Sequence, residues 1–249
     1  MLVDKNTKQV MFMNVEIKRI MSEGGVLWEA STVPGPTKLI GGNLQAGFYG
    51  EVPTSDFITG DELAKRIGLS AGVSQFSNEP WLKFSYMGKT EFIAKKTFRH
   101  SISWNAINDA NAVTGQRTID ISGKTYKIRL MKGKTEGKQS DDSSANGDIN
   151  KGSEWNKLML PIHENAPSNW MFKGNVNYPT ENWNVGYTDT DLFTKSNAGS
   201  GTHSWCQEYG ITKGYYLLRG HMGISNSSHS LASSSDSYSG WRPVLELVY

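Results

Sequence analysis

The sequence predicts an α+β chain of short strands and a few short helices, with long packed loops and a small β-rich segment at its N-terminus. Three observations predict it. Apolar and polar residues alternate in short runs bounded by Gly, Pro and Asn, the pattern of half-buried strands. Helix signals are confined to brief stretches, each with a capping residue in front of it. Eight tryptophans and 26 glycines occur in 249 residues, a composition that suits loops held by large aromatic anchors better than a helical bundle.

Residues 1–33 form the N-terminal unit. Val10, Phe12 and Val15-Glu16-Ile17 are strand-like, and Glu23-Gly24-Gly25-Val26 supplies a turn before Leu27-Trp28. Val33-Pro34-Gly35-Pro36-Thr37 breaks regular structure and reads as a linker. Residues 34–95 are read as a connecting α+β region. Within it, Thr59 and Glu62 have capping-box spacing, Leu63, Ala64 and Ile67 share a face, and Gly68 can close a helix over about 60–67. That apolar face is expected to cover a sheet edge and to have no chemical role. Trp81–Tyr86 and Glu91–Ala94 then make a hairpin across Met87-Gly88-Lys89.

Residues 96–249 are read as one domain. Ser103 caps a helix carrying Trp104, Ile107 and Asn111 on related faces. Tyr126, Ile128 and Leu130 alternate with Lys127, Arg129 and Met131 as in a half-buried strand. The Lys-, Asp-, Ser- and Gly-rich residues 132–150 read as a mobile insertion. Ser153 caps a short helix that turns Trp155, Leu158 and Met159 inward and stops at Pro161. Beyond it Trp170, Phe172, Tyr178, Trp183, Tyr187 and Phe193 sit among Asn, Gly and Pro. So many rings would leave too much apolar surface wet in a disordered tether, so packed loops are expected. Tyr215–Leu218 and Val244–Leu247 supply late strands.

The formal charge of +2 is spread thinly, which removes the electrostatic case for nucleic acid. A single cysteine, Cys206, excludes an intrachain disulfide and a cysteine-built metal cage. The N-terminal residues lack a signal-peptide pattern, and no apolar run approaches the ~20 residues that span a bilayer. Synthesis in a cytoplasm without membrane insertion is therefore expected.

Six short motifs recur in order along the last 150 or so residues: Ile102-Ser103-Trp104-Asn105-Ala106, Tyr126-Lys127-Ile128-Arg129-Leu130, Gly152-Ser153-Glu154-Trp155, Ser204-Trp205-Cys206-Gln207-Glu208, Leu218-Arg219-Gly220 and Gly240-Trp241-Arg242-Pro243-Val244. In that order they resemble the landmarks of the formylglycine-generating-enzyme (sulfatase-modifying-factor) type of C-type-lectin-like domain: V-S-W-x-x-A, Y-R-L-P-T-E-x-E-W, G-N-V-W-E-W, R-G-G-S-W and G-F-R-V. The resemblance covers residues 96–249. It implies that Trp104, Trp155, Trp205 and Trp241 anchor loops to the sheet, each donating its N–H to a backbone acceptor. It also implies that Arg219 and Arg242 clamp backbone, or Glu154 and Glu208. The alternative is that these groups touch a ligand directly. The chain departs from the family at Arg129-Leu130-Met131-Lys132-Gly133, and at Ser204, where some members carry a calcium-binding glutamate.

Catalysis is not expected. Oxidase members bind copper through two cysteines, whereas His221–Ser239 holds none. The spacing of His221 and His229 is not a familiar metal-ligand spacing, and Gly223-Ile224-Ser225-Asn226-Ser227 lacks the second glycine of a nucleophile elbow. Asp189 and Asp191 could form a carboxylate pair or part of a calcium loop, but a turn and helix-cap role is expected of them. No catalytic residue, metal or cofactor is expected.

Nine of the nineteen residues from His221 to Ser239 are serine. In binding members of the family the matching segment lies on the exposed face. Ser, Asn, His and Tyr also suit adaptable contacts. Asn226, Ser228, His229, Ser235, Asp236 and Tyr238 are the candidate ligand-binding residues; a solvated loop without a ligand is the other reading. The opening Phe12-Met13-Asn14-Val15-Glu16-Ile17-Lys18 and Gly25-Val26-Leu27-Trp28-Glu29 resembles segments of bacteriophage tail and appendage proteins. Together the two resemblances imply a non-enzymatic virion protein, such as a tail fibre or appendage. Its N-terminal segment would join other virion proteins and its lectin-like domain would meet a host-surface glycan or protein. A homo-oligomer is expected. Phage appendages are often trimers, although no heptad or collagen-like repeat specifies one here. A purely structural tail or capsid-decoration protein is the second expectation.

Overall fold

Two large β-sheets, each drawing strands from both halves of the chain, organise the computed structural model. It describes residues 33–134, 153–164, 182–195, 198–210 and 213–249, together with four N-terminal strands. Those are Val10–Phe12 (β1) paired with Val15–Ile17 (β2), and Arg19–Ser22 (β3) paired with Gly25–Glu29 (β4). The architecture is mainly β: among the described residues the α-helical share expected of an α+β chain amounts to three short helices.

The larger sheet has seven antiparallel strands. In chain order they are Gly41–Gly42 (β5), Ala46–Val52 (β6), Trp81–Tyr86 (β8), Lys89–Ala94 (β9), Thr114–Ile121 (β11), Lys124–Arg129 (β12) and Val244–Leu247 (β17). In space the order is β11-β12-β17-β9-β8-β6-β5. The second, mixed sheet has the order β15-β14-β13-β16-β10-β7. Its strands are Val73–Ser74 (β7), Arg99–His100 (β10), His203–Tyr209 (β13), Tyr215–Gly220 (β14), Ser227–Leu231 (β15) and Ser239–Trp241 (β16), with β13 and β16 parallel. Residues 34–95, read from sequence as a connecting region, thus supply four of the seven strands of the larger sheet. The boundary drawn at 95/96 runs through that sheet, because β17 pairs with β9.

Local chemistry sets the turns. The β8–β9 hairpin closes on Met87 (φ 50) and Gly88 (φ 77), and β11–β12 closes on Ser122 (φ 49) and Gly123 (φ 75). Two successive left-handed residues are the type I′ geometry that matches strand twist, which is why glycine takes the second place. The helix at Gly60–Ile67 (α1) falls where sequence places it. The Thr59 hydroxyl accepts from Glu62 N, and Gly68 closes the last turn at φ 75. Glu62 leaves the reciprocal half of the capping box unmade and pairs with Arg66 instead, at 2.9 Å.

The second helix is Trp104–Asp109 (α2), capped by Ser103, with Trp104 and Ile107 buried. Asn111 does not share their face as expected; it lies beyond the helix end, exposed, at φ 57. The third is Glu154–Leu158 (α3), capped by Ser153. The mobile insertion expected at 132–150 and the aromatics Trp170, Phe172 and Tyr178 lie largely or wholly outside the described residues. Trp183 and Phe193 are buried as expected of packed loops.

The seven-stranded sheet buries both faces. One packs Trp81, Phe92, Tyr126, Ile128 and Leu245 against α1, α2 and the second sheet's Trp205, Leu218 and Trp241. The other packs Leu82, Phe84, Ile93 and Val244 against Trp155, Leu158, Met159, Ile162 and Trp183. Alternation along β8 and β9 divides the residues between the faces, as the pleat requires.

Candidate functional site

Three of the four tryptophan landmarks tie separate segments together through the indole N–H. Trp104 Nε1 donates to Cys206 O at 3.1 Å, Trp155 to Ile224 O at 2.7 Å and Trp205 to Ile102 O at 2.8 Å. Trp241 departs from the expectation: its ring is fully buried, but its indole N–H has no hydrogen-bond partner. Trp81, which sequence reading did not single out, makes the same kind of bond to Ile58 O at 2.7 Å.

Arg219 donates to Gly133 O at 3.1 Å, to Ser225 O at 3.3 Å and to Asn156 Oδ1 at 2.8 Å. Arg242 donates to Ser204 Oγ at 2.9 Å, Ala94 O at 3.1 Å, Leu192 O at 2.5 Å and Lys95 O. Both clamp the backbone, as one of the two expected arrangements has it, and Glu154 and Glu208 have other partners. The two guanidinium groups lie 5.5 and 5.7 Å from the Trp155 ring, a cation–π arrangement that holds two buried cations at one indole. Ser204, where the resemblance put calcium binding in doubt, is a buried acceptor for Arg242.

Glu154 belongs instead to a buried charge cluster that sequence reading missed. Arg129 meets Glu154 at 2.7 Å, Glu91 at 2.5 Å and Glu246 at 3.0 Å. Alternation along the strand predicted Arg129 to face solvent, but α3 covers that face and Arg129 is buried. Burial, and then the charge of Glu154, push the Glu91 carboxyl well above the usual range. Burial opposes ionisation of Glu154 too, but Arg129 outweighs it and the carboxyl falls below its ordinary value.

The serine-rich segment forms the outer edge of the second sheet and the turn that returns to its centre. Asn226 is half-buried; its backbone N–H reaches Gly223 O and its carbonyl accepts from Gly220, each at 3.0 Å. Ser228 and His229 lie on β15, opposite Leu218 and Leu217, and the His229 ring meets Tyr215 edge-on at 5.5 Å. Ser235, Asp236 and Tyr238 are exposed on the returning turn.

Asp236 organises that turn. Its carboxylate accepts from Tyr238 N at 3.0 Å, Ser239 N at 2.9 Å, Ser239 Oγ at 3.0 Å and Ser234 Oγ at 3.0 Å. Burial works against the charge, but these bonds hold its pKa below the usual value. The six candidates therefore form two groups whose contacts run to different partners. Tyr238 joins His203 and His221, with ring centroids 6.1 and 5.5 Å away. His229 is the histidine nearest His221 in sequence; in the fold the ring neighbour of His221 is His203, with centroids 4.0 Å apart. His203 carried no signal of its own beyond standing two residues before a landmark tryptophan.

Asp189 and Asp191 act as the turn residues expected. Asp191 accepts from the amide of Thr188 at 2.8 Å and its hydroxyl at 2.7 Å; Asp189 accepts from Thr194 Oγ1 at 2.8 Å and Ile224 N at 2.7 Å. Among the described residues no three His, Cys, Asp or Glu side chains gather closely enough to hold a metal ion, and no helix is long and apolar enough to cross a membrane. Comparison with family models, curated proteins and solved structures finds no match to this chain.

Proposed function

We propose that this chain is a non-enzymatic bacteriophage virion protein whose C-terminal part is a C-type-lectin-like domain of the formylglycine-generating-enzyme type, displaying the rim 221–239 to a host-surface glycan or protein. The observation that carries the reading is the rim's placement. Among the described residues the serine-rich stretch forms the edge strand β15 and an exposed turn, with Tyr238 47% exposed. Immediately inside that rim the chain is tied down by tryptophan N–H bonds and arginine clamps. A rigid base under an adaptable polar edge is the arrangement a contact surface needs. The ordered motifs and the loop-anchoring tryptophans support the lectin-like assignment. The N-terminal segment would join other virion proteins in a homo-oligomer, so that weak contacts gain avidity.

A specific observation favours the second reading, a structural subunit of tail or capsid. At one end of the second sheet Tyr209 and Leu231 are 67% and 46% exposed on strands that flank β14. An apolar end of this kind suits a neighbouring subunit. Antibodies against residues 232–238 separate the two. Decoration of intact virions at a distal position, with inhibition of adsorption, supports receptor display. A segment that antibodies reach only after particle disassembly supports the scaffold.

A further inference from the structure

We propose that His203, His221 and Tyr238 form an acid-sensitive fastener, which holds the turn 232–238 on the start of β13 at neutral pH and lets it go when the imidazoles take up protons. The device stands whether or not the rim binds a receptor. Two imidazoles meet here with nothing to solvate a charge. Their ring centroids lie 4.0 Å apart, with the planes tilted by 48°. Nε2 of His203 and Nδ1 of His221 are closed to solvent, and neither has a hydrogen-bond partner among the described residues. Tyr238 packs edge-on against both rings, at 6.1 and 5.5 Å. A protonated imidazole donates from both nitrogens and needs an acceptor or water at each. The two orphan positions supply neither, so a proton there costs the desolvation of a charge. A proton on each ring would also set like charges in contact.

The backbone makes this contact part of the turn's attachment. His221 has φ 87 and follows Gly220 at φ 96, an uncommon conformation for a residue with a Cβ. It turns the chain back over the start of β13, with His221 N donating to Thr202 O at 3.2 Å, and so brings the imidazole onto His203. The turn is bonded to the same stretch of chain: Gly201 N donates to Ser237 O at 2.7 Å and His203 N to Tyr238 O at 2.9 Å. The rings and these bonds close one junction between the start of β13, the end of β14 and the turn before β16. Local opening of that junction gives both orphan nitrogens to water.

The surrounding charges set the direction of the response. His221 faces His203 from the end of β14, and Tyr238 and Asp236 face it from the turn. Two further groups stand on neighbouring elements: His100 on β10, which pairs with β16, and Lys195, whose segment bridges to Met222 beside His221. Of these only Asp236 favours a proton on His203. Burial, and then His221, outweigh it and bring the His203 pKa down to about 4. Burial also holds His221 below its ordinary value. With a depressed folded-state pKa, the contribution of the rings is complete above the ordinary value of 6.5 and is lost as pH falls through the folded one. Asp236 stays charged across that interval, because its hydrogen bonds hold it below the usual carboxylate value. Its bonds to the turn are therefore not what acid removes first.

The test is imidazole NMR and amide hydrogen exchange on the full chain, from neutral pH down to the His203 midpoint of about 4. The His203 and His221 rings should stay neutral well below pH 6.5. As they protonate, the amides of Gly201 and His203 should lose at least about tenfold of their protection, corrected for intrinsic rates, while those of β8 and β9 keep theirs. His203→Phe retains a ring without the titration and should hold that protection level over the same range, whereas His229→Phe should reproduce the wild-type loss. Should His203→Phe fail to fold, the wild type decides: coincident midpoints for rings and amides support the fastener, and separate midpoints overturn it. Ordinary titration of both rings, protection that does not change with pH, or a loss that survives in a folded His203→Phe protein would overturn it as well.

Discussion

Glu91 and Glu154 both meet Nη2 of Arg129, and their environments push their pKa values apart. Burial and the Glu154 charge raise the Glu91 carboxyl well above its ordinary range, while Arg129 holds Glu154 below it. Glu91→Gln keeps the shape of the side chain without its titration and should cost less stability than Glu154→Gln. Glu154→Gln removes the main counter-charge of a buried arginine and should cost about 3–5 kcal/mol. Urea denaturation measures both. The pH sign follows from linkage. A raised folded-state pKa means that the contribution of Glu91 is complete below its unfolded value and is lost as pH rises toward the folded one. That loss should be present in the wild type and absent in Glu91→Gln. The cluster escaped sequence reading because alternation assigned Arg129 to solvent, and only the packing of α3 reverses that.

At the scale of elements, signals carried by neighbouring residues were legible. Thr59 and Gly68 bracket α1, and Ser103 and Ser153 start α2 and α3. Each of these is a short-range exchange of a side chain for an orphan amide. Thr59→Ala should therefore cost about 1 kcal/mol, read as a lower urea midpoint at unchanged slope. If stability did not change, the cap would not be what holds the first turn. Strand β11 went unread, since most of its residues are exposed and the apolar alternation appears only at Ile119 and Ile121. The Ser122-Gly123 turn was the available signal. Which residues of the rim meet was not legible either, because the contact of His221 with His203 depends on the register of β13 against β14.

Across the whole molecule, the six motifs placed a loop-anchoring framework in the C-terminal part, but they did not reveal that residues 34–95 complete its larger sheet. Strand β17 pairs on one side with β12 and on the other with β9. A fragment of residues 96–249 would expose that edge of β17 and remove Trp81, Phe92 and Val52 from the core. It should fail to unfold cooperatively by calorimetry, whereas a fragment of residues 33–249 should retain a single transition. The contact role proposed for the rim would likewise depend on the body beneath it.

The central claim is that solvent-facing side chains of that rim meet the host. Purified protein added to intact cells of a candidate host measures it directly. Saturable adhesion that is lost in a Tyr238→Ala, His229→Ala double variant of unchanged melting temperature is the predicted result. Wild-type protein that does not adhere, or a double variant that adheres as well as wild type, would contradict it.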